Sequence, residues 1–106
     1  MALIGKGVTF DTGGNNIKST GHIEDMYTDK AGACSVFSAF QALIKQQVRQ
    51  NILLAIPLAE NSVDGNSIRP SDVIRSHKGI TVEITNTDAE GRLILADAMS
   101  YVQSNY

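Results

Sequence analysis

The most constraining feature of the sequence is an unbroken apolar run at residues 52–56, within the segment 51–58. A strand that is apolar on both sides is typical of a parallel sheet covered on both faces. Upstream, apolar residues recur at three and four along 29–48 and predict one face of a helix about five turns long. Residues 3–10 form a further short run that is mainly apolar and becomes β-branched towards its end. Strand, helix and strand in this order predict a right-handed βαβ unit.

The second half of the chain predicts a hairpin and a second helix. Residues 61–70 are polar and predict a surface loop. Short strands over 72–75 and 80–85 flank a lysine-glycine turn and predict a hairpin. A second helical pattern begins at Ile94 and ends near Asn105. We therefore predict an α/β fold in a single domain, with a mixed, largely parallel sheet flanked by helices.

Composition and charge exclude several classes of protein. With 42% hydrophobic and 19% charged residues, the chain has the balance of a globular domain. A net charge of -2 and scattered basic residues predict no nucleic-acid partner. No apolar run is long enough to cross a membrane and no signal-peptide pattern follows Met1, so we expect no membrane partner and a cytoplasmic location. Cys34 is the only cysteine, which excludes a disulfide framework and predicts a buried thiol.

Two polar clusters stand at the ends of strand-like runs. Residues 86–93 bring together the carboxylates of Asp88 and Glu90 and the guanidinium of Arg92. In extended backbone, alternate residues share a face, so the two carboxylates could bind one cation together. On spacing alone, a solvated turn with one local ion pair is the simpler interpretation. The other cluster follows the first strand in glycine-rich sequence and comprises Lys6, Asp11, Lys18 and Asp29.

Together the clusters contain four carboxylates, whose repulsion would cost several kcal/mol without counter-charge. Two divalent cations would neutralise them, and carboxylates can bridge metals about 3.5–4 Å apart to activate a hydrolytic water. His22 and His77 are the only histidines and lie far apart. This separation excludes an H-E-x-x-H zinc site and leaves oxygen atoms as the main ligands.

Four segments together resemble the M17 leucyl aminopeptidase (cytosol aminopeptidase) family: residues 5–14, 17–18, 26–33 and 86–93. The last, NTDAEGRL, is the signature of that family and is complete here. The resemblance runs from about Leu3 to Tyr101. It implies a metallo-aminopeptidase that uses two divalent ions, Zn²⁺ or Mn²⁺, to hydrolyse the N-terminal bond of peptides with a free α-amine. Because the family has a longer catalytic domain, we expect residues 1–106 to be a fragment of it.

The resemblance also implies roles for individual residues. The metal ligands would be Lys6, Asp11, Asp29, Asp88 and Glu90. Lys18 corresponds to a lysine that stays charged and stabilises the oxyanion of the tetrahedral intermediate. Arg92 corresponds to the residue that holds a bicarbonate ion as general base, and Met26 lines the pocket for the first substrate side chain. Without the resemblance, the two lysines and the methionine would be ordinary surface and packing residues.

Two other functions stay open at the level of sequence. The turn Asp11-Thr12-Gly13-Gly14 could belong to a phosphate- or nucleotide-binding α/β domain, although no helix follows directly and no P-loop motif is present. The same fold could also be a catalytically silent interaction module, against which the intact Asp88 and Glu90 argue. Because two helices leave apolar sheet surface open, we expect this chain alone to be inactive and to form homo-oligomers.

Overall fold

The computed structural model describes residues 1–106 as two helices and six short strands. The strands are β1 (Ala2–Ile4), β2 (Gly7–Asp11), β3 (Leu53–Ala55), β4 (Leu58–Asn61), β5 (Val73–Arg75) and β6 (Thr81–Glu83). The helices are α1 (Ala31–Lys45) and α2 (Glu90–Asn105), and short 3-10 turns cover Met26–Thr28 and Thr87–Ala89. Neither helix combines the length and hydropathy that a membrane crossing requires.

The strand pairing is mostly parallel. β1 pairs in parallel with β3, β2 pairs in parallel with β4, and β5 and β6 form an antiparallel hairpin. α1 connects the first two strands to their partners, so the predicted strand-helix-strand order and α/β class are confirmed. The hairpin is also confirmed, and Gly79 in its turn has a φ of +87°, which favours glycine.

Each of the two predicted long strands is divided in two. The first breaks at Gly5-Lys6, where the Ala33 N–H of α1 donates to the Lys6 carbonyl over 2.9 Å. This hydrogen bond takes Lys6 out of the strand ladder. The second breaks at Ile56-Pro57, because proline has no N–H to contribute to a sheet.

α1 can approach the first break closely because glycines face each other there. A Cβ on Gly5 would lie 2.5 Å from the carbonyl oxygen of Gly32 and 2.6 Å from Cγ2 of Val36. Both distances are too short for real atoms, so only glycine fits. The contact fixes the start of α1 next to Lys6.

Little of the chain is covered by its own residues. Only 11 of 106 residues are buried, and the apolar side chains among them are those of Val8, Ala33 and Ile84. The radius of gyration is 15.6 Å, against about 13 Å for a compact chain of this length. The shape is flat, with extents of 46 × 35 × 18 Å.

This open shape corrects three sequence-based expectations. The segment 51–58 is not covered on both faces, since β3 is half-buried and Leu58 is 69% exposed. The apolar face of α1 is narrower than predicted, with Phe37 and Ile44 exposed. Cys34 is exposed rather than buried. In each case the apolar side chain faces outward because no other element of the chain packs on that side.

We predict that Gly5→Ala lowers the free energy of unfolding by about 1–3 kcal/mol, because the added methyl group would overlap the backbone of α1. Gly65→Ala is the matched control, since no atom lies within 4 Å of a Cβ there. Urea unfolding followed by circular dichroism measures both variants. Equal stability of the two would mean that α1 is not held against the strand break as closely as described.

Candidate metal centre

Three carboxylates from two distant parts of the chain lie close together. Oxygen atoms of Asp11, Asp88 and Glu90 all lie within 4.8 Å of one another. Asp11 is the last residue of β2 and is only 2% exposed. Asp88 lies in the turn before α2, and Glu90 is the first residue of that helix. The structure thus brings the two sequence clusters together at the end of a parallel strand pair.

Asp88 and Glu90 come close to each other, but not because they share a face of extended backbone, as their spacing suggested. The segment is not extended: the side chain of Asn86 accepts a hydrogen bond from the Asp88 N–H over 2.9 Å and begins a 3-10 turn. Glu90 then starts α2 directly. The two carboxylates converge because the backbone turns.

Thr87 ties this turn to the loop after β2. Its buried hydroxyl donates to the Gly13 carbonyl over 2.6 Å and accepts from the Asn16 N–H over 2.8 Å. The Thr87 N–H in turn donates to the side-chain oxygen of Asn16 over 2.8 Å. These bonds hold the turn that contains Asp88 next to the loop that follows Asp11.

Two lysines lie between the carboxylates. Lys6 Nζ is 2.6 Å from Asp29 Oδ2 and 2.7 Å from Glu90 Oε1. Lys18 Nζ is 3.0 Å from Asp11 Oδ2 and also contacts Asp88 Oδ1. Four negative and two positive charges leave the cluster at -2, so the lysines offset only half of the carboxylate charge.

Lys6 reaches its partners by passing over a glycine of α2. A Cβ on Gly91 would lie 2.7 Å from Lys6 Cε and 3.1 Å from Lys6 Nζ. Burial lowers the pKa of the Lys6 ammonium, but the close carboxylates of Asp29 and Glu90 outweigh burial, and the pKa is raised overall. Lys6 therefore carries a proton in the metal-free chain.

The other lysine and its partner are held in their charged forms as well. Burial lowers the pKa of Lys18, yet the hydrogen bonds that its ammonium donates to Asp88 and Asp11 outweigh burial, and the pKa is raised. Burial raises the pKa of Asp11, but the Gly13 N–H, the Asn61 amide and Lys18 outweigh it and the pKa is lowered. The pair Lys18–Asp11 is consequently ionised at neutral pH.

The carboxylate oxygens of the cluster are suitable ligands for a divalent cation. Asp29 Oδ2 and Glu90 Oε1 are buried and have no hydrogen bond of acceptable geometry, although the Lys6 ammonium lies at contact distance from both. A buried charged oxygen without an aligned donor is costly. Hard divalent cations prefer oxygen ligands of this kind, and such an ion would satisfy these atoms.

Asn61 is a site residue that the sequence analysis missed. It was assigned to a surface loop, but it is the last residue of β4 and stands opposite Asp11 in the strand register. Its amide Nδ2 donates to Asp11 Oδ1 over 2.8 Å, to the Thr87 carbonyl over 3.0 Å and to Glu90 Oε2 over 3.3 Å. The available signal was a polar residue shortly after a strand predicted to run parallel to the strand that precedes Asp11.

Not every predicted site residue meets the carboxylates. Arg92 is exposed in the first turn of α2 and makes no ion pair within the chain. Met26 is half-buried and lines a cleft of about 360 Å³ together with Lys18, Ser19, His22 and Asp88. The roles of Arg92 and Met26 stay predictions.

Comparison with known sequences gives matches along nearly the whole chain. Residues 1–106 match the family described as cytosol aminopeptidase family, catalytic domain. A protein named "probable cytosol aminopeptidase" from Stenotrophomonas maltophilia is 52% identical over 101 residues, which are 95% of this chain and 21% of that protein. A protein of the same name from Xylella fastidiosa has the same identity and coverage. The chain thus spans about a fifth of the length of these curated relatives.

Solved structures with this fold include several peptidases. Leucine aminopeptidase from Caenorhabditis elegans is 44% identical with a TM-score of 0.94, covering 96% of this chain and 21% of that one. Cytosol aminopeptidase from Coxiella burnetii is 42% identical with a TM-score of 0.94, covering 97% and 22%. A bottromycin maturation enzyme in complex with Mn is 44% identical with a TM-score of 0.88, covering 94% and 22%.

We predict that acid destabilises the metal-free chain in part through Asp11. Because its pKa is lowered in the folded state, this contribution is complete above the ordinary value of 3.8 and is lost as pH falls through the lower folded value. Asp11→Asn should therefore flatten the fall in the free energy of unfolding between about pH 5 and pH 2. Urea unfolding in the presence of a chelator measures it, with Asp25→Asn, in an exposed loop, as the control. An unchanged slope in Asp11→Asn would contradict the assignment.

Proposed function

The chain belongs to the cytosol aminopeptidase (M17) family, and from this we propose that it carries the dimetal centre of a leucyl aminopeptidase-like exopeptidase. The substrates are peptides with a free N-terminus, and the reaction is hydrolysis of their first peptide bond. The convergence of Asp11, Asp88 and Glu90 around two lysines carries the proposal. Residues 1–106 would be part of one catalytic domain in the cytoplasm, in keeping with the names of the curated relatives.

The metal ligands in this proposal are Lys6, Asp11, Asp29, Asp88 and Glu90. Two divalent ions, zinc or manganese, would supply Lewis-acid polarisation of the peptide carbonyl and a reactive water. Support comes from the buried oxygens of Asp29 and Glu90, which lack a well-aligned hydrogen bond, and from the residual charge of -2. Lys6 can ligate only as a neutral amine, so the proton that Asp29 and Glu90 hold on its Nζ must first leave to solvent.

Lys18 has the opposite requirement in this mechanism. Its ammonium, paired with Asp11 and Asp88, keeps its proton and lines the cleft that also contains Met26. A fixed positive charge at the mouth of the site stabilises the oxygen that becomes negative as the peptide carbonyl is attacked. Lys18 thus serves as an electrophile and not as a base.

Arg92 and Met26 have proposed roles on the solvent side of the site. The exposed guanidinium of Arg92 has no partner within the chain and is free to bind a planar anion such as bicarbonate, the proposed general base. Met26, half-buried in the cleft beside Lys18, is proposed to contact the first side chain of the substrate. Its flexible thioether suits apolar side chains of different shape.

The phosphate-binding alternative is disfavoured by the hydrogen bonds of its own turn. Gly13 N–H donates to Asp11 Oδ1 over 2.9 Å, and Gly14 N–H donates to Thr12 Oγ1 over 3.1 Å. The donors that would have to bind a phosphate are therefore used within the chain. The surrounding charge of -2 would also repel an anion. The other alternative, a catalytically silent interaction module, would have the same fold without bound metal. Titration of the chain with a divalent cation tests this alternative.

For the 106-residue chain by itself, we propose little or no peptidase activity and association into homo-oligomers. Metal ligands need to be held within about 0.5 Å by surrounding packing, and only 11 residues of this chain are buried. Exposed apolar residues such as Leu58 and Phe37 leave surfaces that a second copy can cover.

We predict that Asp88→Asn and Glu90→Gln each remove at least one divalent ion from the chain while the fold persists. Both substitutions keep the shape of the side chain and remove a ligand charge, so repulsion in the metal-free cluster decreases. Calorimetric titration with Zn²⁺ and with Mn²⁺ gives the stoichiometry. Asp72→Asn is the control, because this aspartate pairs with Arg69 away from the cluster. Unchanged stoichiometry in both site variants would refute the ligand assignment, and no binding by the wild type would favour the silent module.

We predict that Lys18→Met, in a polypeptide that contains the catalytic domain, lowers kcat by about 10²- to 10³-fold, since an oxyanion stabiliser acts mainly in the transition state. Metal affinity should be unchanged or tighter, because the substitution removes a positive charge beside Asp11 and Asp88. Hydrolysis of leucine anilide and metal titration measure the two effects. Lys78→Met, in the exposed hairpin turn, is the control. A parallel loss of metal and activity would instead make Lys18 part of the metal-binding framework.

A further inference from the structure

Asn61 is not among the proposed ligands, yet its side-chain amide contacts two of them. We propose that Asn61 is a positioning residue, which holds one oxygen of Asp11 and one of Glu90 so that the other oxygen of each faces the cation site. This inference rests on the proposed dimetal function and extends it to a residue outside the ligand set.

The contacts of Asp11 divide its two oxygens between different tasks. Oδ1 accepts from Asn61 Nδ2 over 2.8 Å and from the Gly13 N–H over 2.9 Å. Oδ2 faces the other way and is 3.0 Å from Lys18 Nζ. Two neutral donors thus fix the carboxylate plane without occupying the oxygen that points into the cluster.

Glu90 is divided in the same manner. Its Oε2 accepts from Asn61 Nδ2 over 3.3 Å, whereas the buried Oε1 has no well-aligned hydrogen bond and lies 2.7 Å from Lys6 Nζ. One amide nitrogen therefore links two of the proposed ligand carboxylates. The second oxygen of each carboxylate contacts a lysine instead of Asn61.

The chemistry of the position favours an asparagine. Three acceptors surround Nδ2, namely two carboxylates and the Thr87 carbonyl, so the amide must present its N–H₂ group there. An aspartate would have no proton to donate and would add a fifth negative charge. A lysine or arginine would donate but would compete with the cation for the carboxylates.

The backbone of β4 and a neighbouring glycine hold Asn61 in place. The Asn61 carbonyl accepts from both the N–H and the hydroxyl of Thr12, each over 2.8 Å. A Cβ on Gly14 would lie 2.9 Å from Asn61 Oδ1, so the side chain fills the space that this glycine leaves. The Asn61 amide is therefore fixed before any cation binds, as required of a group that orients metal-ligating side chains.

The test compares two asparagine-to-aspartate substitutions in the 106-residue chain. Asn61→Asp keeps the size of the side chain, removes the donor and adds a negative charge. Asn86→Asp adds the same charge nearby but retains its bond, because Asn86 Oδ1 accepts from the Asp88 N–H. Charge alone would tighten cation binding in both variants. Loss of the donor should weaken it only in Asn61→Asp, by about 10- to 100-fold.

Calorimetric titration with Mn²⁺ measures the affinities, and circular dichroism melts give the folded fraction of each variant. Mn²⁺ affinity of Asn61→Asp equal to or tighter than that of Asn86→Asp would overturn the positioning role while leaving the proposed function intact. If the wild type binds no Mn²⁺ or Zn²⁺, the proposed function fails and the inference fails with it.

A measurement on the wild type keeps the inference testable if Asn61→Asp does not fold. In ¹⁵N-labelled chain saturated with Zn²⁺, the side-chain amide protons of Asn61 should exchange slowly with solvent because they continue to donate to the carboxylates. Asn66, whose side-chain amide makes no hydrogen bond in an exposed loop, gives the reference for fast exchange. Exchange of Asn61 as fast as that of Asn66 would overturn the positioning role.

Discussion

Repulsion among four carboxylates at the end of the parallel strands is the interaction that the surrounding structure has to contain. Two lysines, the amide of Asn61 and the N–H of Gly13 all direct positive charge or a donor at this cluster. They compensate the repulsion only in part, since a charge of -2 persists and two buried oxygens that contact Lys6 lack a well-aligned hydrogen bond. A site left in this state is stabilised by the binding of further positive charge.

Close backbone contacts, and not a large core, position the charged and amide side chains of the cluster. The break in the first strand turns the Lys6 carbonyl to α1, and glycines at positions 5, 32 and 91 leave room for the helix and for the lysine side chain. The register of β2 and β4 sets Asn61 opposite Asp11. Small residues are therefore as important as charged ones for the geometry of the centre.

The family resemblance implied that the two polar clusters form one site, whereas the local pattern of the sequence was enough to predict the order of helices and strands and the hairpin. That pattern failed where a contact from elsewhere in the chain decides the outcome. Asn61 looks like a loop residue until its strand partner is known, and the bend of the first strand depends on α1. Burial of 51–58 was overestimated because apolar composition indicates what a strand can cover, not whether a partner layer is present.

Lys18 and Asp88 are 70 residues apart in sequence and contact each other in the cluster. Thr87 joins the loop after β2 to the turn before α2 across a similar separation in sequence. Closing so large a loop is entropically unfavourable, and non-local contacts of this kind slow folding. During synthesis the first cluster emerges from the ribosome long before its partners, so a nascent chain exposes only half of a cation site. If the cluster binds metal as proposed, binding requires both segments to have docked, and a bound ion would report that the fold is complete.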